Sequence, residues 1–208
     1  PEDMNFYILI IGILIWGITV ILIISMFFIA KLFPEDKISF LNFLSRKETW
    51  LPLGALIGAA IVGLIDDYIN VRGLIPKVGG ITVKWKIVIY TAIAFIGAMW
   101  FYFKLGFDTI HVPFLGNFYI GLWYIPFFIL VVVATTFSVN EIDGLDGLAG
   151  GTVFPALASY AVISLTLGRV DLATFVMVIV GALLAFLWVN IPPAKVFMGD
   201  TGAVALGI

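Results

Sequence analysis

Long apolar runs separated by short polar joints occupy almost the whole chain. The runs cover residues 6–33, 51–65, 87–103, 118–139, 152–167 and 172–189, and another begins near Thr201. Since a helix rises 1.5 Å per residue, such runs predict helices that cross the ~30 Å hydrocarbon core of a bilayer, with the shorter ones extended into their polar flanks. The pattern therefore predicts an all-α, polytopic membrane protein with about six spans and the start of a seventh.

The composition agrees with this pattern and narrows the chemistry. Hydrophobic residues make up 62% of the chain and charged residues 12%, against roughly 25% charged in soluble domains. We expect one integral membrane domain over residues 1–208, truncated at both ends, since the chain starts at Pro1 and stops within an apolar segment. With no cysteine and one histidine, His111, the sequence favours oxygen-ligated metals and gives His111, in the loop FDTIHVPFLGN, no catalytic role.

Acidic groups follow the second, fourth and sixth runs. They are the pair Asp66–Asp67, the segment NEIDGLDGLAGG at 140–151, and Asp200. Two crossings separate each group from the next, so all three are predicted on the same side of the membrane. Lysines and arginines number five on that side and six on the other, so charge bias does not identify the cytoplasmic side.

The segment 140–151 carries the strongest signal. On a helix, Asn140, Asp143 and Asp146 would fall on one broad side and could line one cavity. Its glycines would let backbone N–H groups approach an oxyanion, at a helix beginning around Gly151. A polar capping turn between two spans is the structural alternative, although such a turn needs only one carboxylate.

The other charged residues each have a structural alternative. Asp66 and Asp67 could be solvated charges at a helix end, or could bind Mg²⁺ or accept a proton. Asp200 could cap the next helix or bind a cation that bridges phosphates. Lys84 and Lys86 could extend to the membrane interface or stabilise a transferring phosphoryl group.

Taken together, carboxylates, lysines and glycine-rich turns at one membrane face favour phosphoryl transfer involving a lipid. A cation transporter is the alternative from another class, because acids within a membrane also line ion pathways. The acids here lie at the ends of the runs and beside glycines rather than at mid-membrane. That placement favours the enzyme.

Four motifs carry a resemblance to a known family. DDYIN, GGITVKWK, NEIDGLDGLAGG and NIPPAKVFMGDTGAVALG resemble those of the polyprenyl-phosphate N-acetylhexosamine-1-phosphate transferases, most closely the members that act on a muramoyl-pentapeptide. The resemblance runs from about residue 50 to the end. It implies ten transmembrane helices in the full protein, of which this chain would hold the second to the start of the eighth.

The resemblance also implies an activity. It is the Mg²⁺-dependent transfer of phospho-N-acetylmuramoyl-pentapeptide from UDP-N-acetylmuramoyl-pentapeptide to undecaprenyl phosphate, which forms lipid I and UMP at the cytoplasmic face of a bacterial inner membrane. A homodimer is possible, and no nucleic acid partner is expected. Transfer of N-acetylglucosamine-1-phosphate is the alternative within the family, and a non-catalytic homologue or cation transporter lies outside it.

Residue by residue, the resemblance assigns a catalytic group. Asp66 and Asp67 match an aspartate pair, one of which is expected to deprotonate the lipid phosphate, and Asp200 matches the Mg²⁺ ligand. Lys86 matches a lysine that faces the site from the start of the next helix. Asn70 departs from the family pattern, because a lysine is usual there.

The remaining matches form the wall of the implied site. Asn140, Asp143 and Asp146 match its polar side, with Asp143 and Asp146 expected to be catalytic. The residues expected to bind substrate are Asn140, Gly147, Leu148, Asn190 and Phe197, the last two in a uridine pocket. Motifs expected before and after this part of the family sequence are absent, so we predict that the isolated chain is inactive.

Overall fold

The computed structural model describes residues 47–72, 80–112 and 114–208, together with five isolated helical positions between 21 and 32. The first predicted span, 6–33, lies outside the described residues apart from those positions. The helices are α1 (Lys47–Val71), α2 (Val83–Met99), α3 (Tyr124–Ile142), α4 (Leu148–Thr166), α5 (Val170–Asn190) and α6 (Gly199–Gly207). A π-helical turn, Trp100–Lys104, extends α2.

Five helical segments in the described part of the chain are long and apolar enough to cross a membrane. They are Trp50–Val71, Val83–Lys104, Gly121–Ile142, Leu148–Thr166 and Val170–Asn190. The prediction of an all-α polytopic membrane protein is confirmed, and these segments correspond to the second to sixth predicted spans. The largest difference is at α1, which continues through the DDYIN motif, so that Asp66 and Asp67 lie within its last turns.

A small antiparallel hairpin joins α2 to α3 on the side away from the acidic groups. Strands β1 (Thr109–Val112) and β2 (Gly116–Tyr119) pair with Thr109 opposite Tyr119. Three β-branched residues among the four of β1, and Gly116 with φ of +95°, favour this hairpin over a helix. The predicted start of the fourth span at residue 118 is therefore wrong. His111 bonds to Asn117 within the hairpin (2.7 Å).

The helices pack in a few close pairs, α1 against α6, α4 against α5, and α3 against both α2 and α6. Glycines allow two of these approaches. A Cβ on Gly207 would lie 2.6 Å from the Cα of Thr136, and one on Gly150 would lie 2.7 Å from a methyl carbon of Leu187. Small residues let membrane helices approach this closely. The packing brings the ends of α1 and α3 and the start of α6 together, where the acidic groups lie.

Candidate active site

A cavity of about 370 Å³ lies where the three acidic groups meet. Its lining combines four carboxylates, one lysine and one aromatic ring with backbone and amide groups: Asp66, Asp67, Asn70, Lys86, Asp143, Gly144, Leu145, Asn190, Phe197, Gly199 and Asp200. The structure thus brings together residues up to 134 positions apart in the sequence, on one side of the helical bundle, as the count of crossings predicts.

Lys86 lies at the centre of the charged cluster. Its Nζ is 2.7 Å from Asp66 Oδ2 and also donates to Asp200 Oδ2. Its side chain is only 16% exposed, so it does not extend to the membrane interface, whereas Lys84 is exposed. Buried carboxylates need such a partner, because an isolated charge is costly to remove from water.

Asp66 is held from a second direction by the backbone. Its Oδ1 accepts a hydrogen bond from the N–H of Ile81, and the residue is 5% exposed. Gly80, with φ of +137°, brings the chain over this carboxylate, and a Cβ there would lie 2.7 Å from Asp66 Oδ1. The glycine before α2 therefore serves the packing of Asp66.

Asp67, the neighbour of Asp66 on α1, has different partners. Its Oδ1 accepts from the N–H of Asp200 (3.1 Å), and its Oδ2 accepts from both the N–H (3.0 Å) and the hydroxyl (2.6 Å) of Thr201. Gly199 has φ of +64°, and a Cβ there would lie 2.9 Å from Asp67 Oδ2. The sequence motifs do not identify Thr201 as a site residue. The sequence signal that could have found it is a hydroxyl residue in the first turn of a helix, within GDTG.

Asp200 is the second residue of α6, and Met198 occupies the N-cap position. Asp200 is therefore not the N-cap residue of this helix. The Asp200 carboxylate is bound to Lys86, and the capping oxygens come from Asp67 on another helix.

The segment after α3 differs from the predicted helix. Helix α3 ends at Ile142, Asp143 follows it with φ of −78° and ψ of 51°, and α4 begins at Leu148 rather than around Gly151. The prediction that Asn140, Asp143 and Asp146 share one helical side is wrong, since glycines follow Asp143 and Asp146 and Gly147 is left-handed. Asp143 alone of the three lines the cavity.

The surroundings of Asp143 change its ionisation. Burial, reinforced by the nearby charge of Asp67 and opposed by the N–H of Gly199, raises the pKa of Asp143 to about 6. No lysine or arginine of the described residues pairs with it. Asp143 is therefore able to exchange a proton near neutral pH.

Two polar side chains join the loops beside the cavity. Asn190, 5% exposed, accepts from the N–H of Gly147 (2.9 Å) and donates to the carbonyl of Val196 (2.7 Å). Asp146 accepts from the N–H of Ala194 (3.0 Å). These bonds tie the 143–147 turn to the 191–198 loop, from which the half-exposed ring of Phe197 faces the cavity.

Four predicted site residues do not line the cavity: Asn140, Asp146, Gly147 and Leu148. The amide oxygen of Asn140 is buried and has no hydrogen-bond partner in the described part of the chain.

The carboxylates fit a hard divalent cation in their chemistry. No group of three Asp, Glu, His or Cys side chains within the described ranges is arranged to hold a metal by itself. Mg²⁺, however, usually binds one or two carboxylates and completes its shell with water and substrate phosphates. Asp66 and Asp200, which already converge on one cationic group, match that requirement.

The family of the chain is shown by a match over most of its length. Residues 49–208 match glycosyl transferase family 4. The chain belongs to that family. The matched region contains every residue that lines the cavity, from Asp66 to Asp200.

Individual family members are also similar to the chain. It is 41% identical over 173 residues to the phospho-N-acetylmuramoyl-pentapeptide-transferase of Chloroflexus aggregans, covering 80% of this chain and 47% of that protein. The proteins of the same name from a Geobacillus strain and from Clostridium perfringens are 40% and 38% identical, over 77% of this chain and 49% and 50% of theirs. The chain thus spans about half the length of the curated relatives it matches.

Proposed function

We propose that the protein transfers phospho-N-acetylmuramoyl-pentapeptide from UDP-N-acetylmuramoyl-pentapeptide to undecaprenyl phosphate, forming lipid I and UMP on the cytoplasmic side of a bacterial membrane. The observation that carries the proposal is the convergence of Asp66 and Asp200 on the ammonium group of Lys86 within a cavity beside membrane-spanning helices. The names of the relatives point to the same reaction.

In this reaction an oxygen of the lipid phosphate attacks the phosphorus attached to the sugar. The bond from that phosphorus to the bridging oxygen breaks, and UMP leaves with that oxygen. Negative charge accumulates at the phosphates during the transfer, so a fixed cation beside them lowers the barrier. Lys86 supplies that cation, and Asp66 and Asp200 hold its ammonium group in place.

Mg²⁺ is part of the proposal. Asp200 would hold it through its carboxylate, which borders the cavity. When bound, the ion would offset the charge of the pyrophosphate. Two carboxylates and no soft ligand favour this ion over zinc or iron.

A proton on the lipid phosphate must be removed before or during attack. The family resemblance gives this task to Asp66 or Asp67, but both carboxylates are already bonded to the protein, to Lys86 and to the start of α6. Asp143 lines the same cavity with a pKa of about 6, close to the second pKa of about 6 of a phosphate monoester. Asp143 is thus the better-matched proton acceptor.

The nucleotide would lie against the 191–198 loop. The ring of Phe197 is 49% exposed where it borders the cavity, so one face is available for a uracil base to stack on. The 143–147 turn lies opposite, and Asn190 holds the two segments at a fixed separation.

The test measures UMP release by the full-length protein in detergent with undecaprenyl phosphate and Mg²⁺. UDP-N-acetylmuramoyl-pentapeptide and UDP-N-acetylglucosamine are supplied in parallel reactions, and Asp200→Asn is the control. We expect release with the muramoyl substrate only, and none from the variant. Release with the glucosamine substrate alone would assign the protein to that branch of the family, and release with neither would reject transferase activity.

A further inference from the structure

The two adjacent aspartates of α1 have separate sets of partners. Asp66 bonds to the ammonium group of Lys86 and to the N–H of Ile81. Among the described residues, Asp67 bonds only to α6: both of its oxygens are occupied by the backbone of Asp200 and by the backbone and hydroxyl of Thr201. Although Asp66 and Asp67 are adjacent in the sequence, their carboxylates have different surroundings.

We infer that Asp67 is a positioning residue that acts through Asp200, and that it neither accepts the substrate's proton nor binds the metal. A carboxylate at the N-terminus of a helix satisfies free N–H groups and is stabilised by the helix dipole. Here the carboxylate comes from α1, so the cap also fixes α6 to α1. Asp200 is then held at its N–H by Asp67 and at its carboxylate by Lys86, which sets the direction of its side chain.

Thr201 allows the role of Asp67 to be tested separately, because its hydroxyl bonds to Asp67 and its side chain does not line the cavity. Thr201→Val removes the hydroxyl with little change in shape, and Thr201→Ser keeps it. If Asp67 acts through α6, removing the Asp67 carboxylate or the Thr201 hydroxyl should change the unfolding midpoint and the Mg²⁺ requirement in the same direction. If Asp67 is instead the base and does not act through Asp200, Thr201→Val should leave the Mg²⁺ requirement of the enzyme unchanged.

The first experiment is a double-mutant cycle on thermal unfolding of the full-length protein in detergent, without substrate or Mg²⁺. We expect Thr201→Val to lower the midpoint by about 2–6 °C, since one hydrogen bond to a charged group is lost, and Thr201→Ser to recover most of this. In Asp67→Asn, Thr201→Val should add less than half of its effect in the wild-type background. Full additivity, or no effect of Thr201→Val, would overturn the inference.

The second experiment rests on the proposed function and measures the Mg²⁺ concentration for half-maximal UMP release. We expect Thr201→Val and Asp67→Asn each to raise it several-fold, because a displaced Asp200 binds Mg²⁺ less well. A general loss of folded enzyme would lower the rate at saturation and leave this concentration unchanged, and that result would also overturn the inference. If the wild-type protein releases no UMP, the proposed function fails, while the unfolding cycle still tests whether Asp67 fixes the start of α6 through Thr201.

Discussion

Gly63 of α1 lies directly against the backbone of Asp200 in α6. A Cβ at Gly63 would come within 2.3 Å of the Asp200 carbonyl oxygen and 2.6 Å of the Thr201 Cα. The obstacle is backbone rather than a flexible side chain, so an added methyl group has no way to fit unless α6 moves. This contact therefore sets the distance between Asp66 and Asp67 on one helix and Asp200 on the other.

Gly63→Ala is accordingly expected to displace α6 and reduce activity at least tenfold, together with a lower unfolding midpoint. Overpacking of this kind usually costs about 1–3 kcal/mol. UMP release and thermal unfolding of the full-length protein would measure both effects.

Gly58, on the same helix, is the matched control. A Cβ there would meet nothing within 4 Å. Because alanine is favoured over glycine in a helix by about 1 kcal/mol, Gly58→Ala should be neutral or slightly stabilising. Equal effects of the two substitutions would contradict the proposed contact.

Lys86→Met should leave Asp66 buried without its counter-ion. Removing one partner of a buried ion pair typically costs about 3–5 kcal/mol, and the Lys86 side chain is 16% exposed and that of Asp66 7%. We expect a marked fall in the unfolding midpoint at neutral pH and loss of transfer. Lys84→Met, two residues earlier at an exposed position, should change neither quantity by much, and a similar loss there would argue against a specific role for Lys86.

The dependence of activity on pH tests Asp143. Because its pKa is raised to about 6, the carboxylate is protonated below that pH and becomes able to accept a proton as the pH rises through it. The rate of UMP release should therefore increase from pH 5 to pH 7 with an apparent pKa near 6. Asp143→Asn should lower the rate by about 10²–10⁴-fold and remove this acidic limb from what remains. An unchanged limb in the variant would assign it to another group.

The membrane class could be predicted from the sequence because hydrophobic length alone decides it. Counting crossings placed Asp66, Asp143 and Asp200 on one side of the membrane without any knowledge of helix ends, and the structure brings them to one cavity. The separate environments of Asp66 and Asp67 could not be predicted, since their partners Lys86 and Thr201 lie 20 and 134 positions away. The partner of each carboxylate is determined by packing between helices that are distant in the sequence, and not by the local sequence pattern.

The turn after α3 shows the other kind of limit. A period of three placed Asn140, Asp143 and Asp146 on one helical side, but the helix ends at Ile142. The two Asp-Gly pairs favour a turn at least as strongly as the spacing favours a helix, and Gly147, with φ of +74°, adopts a conformation that glycine tolerates best. Turn chemistry, rather than the spacing of three, decided the geometry of this segment.

Asn190→Ala tests whether the two loops around the nucleotide must be tied together. The substitution removes the bonds to Gly147 and Val196 and leaves two backbone groups without those partners, at a cost of about 1–3 kcal/mol. Because the 191–198 loop carries Phe197, we expect the KM for the UDP substrate to rise more than kcat falls. Asn117→Ala, which removes an exposed side-chain hydrogen bond in the hairpin on the opposite side, should leave KM unchanged. If Asn190→Ala instead lowers kcat alone, the amide acts in the chemical step rather than in holding the nucleotide loop.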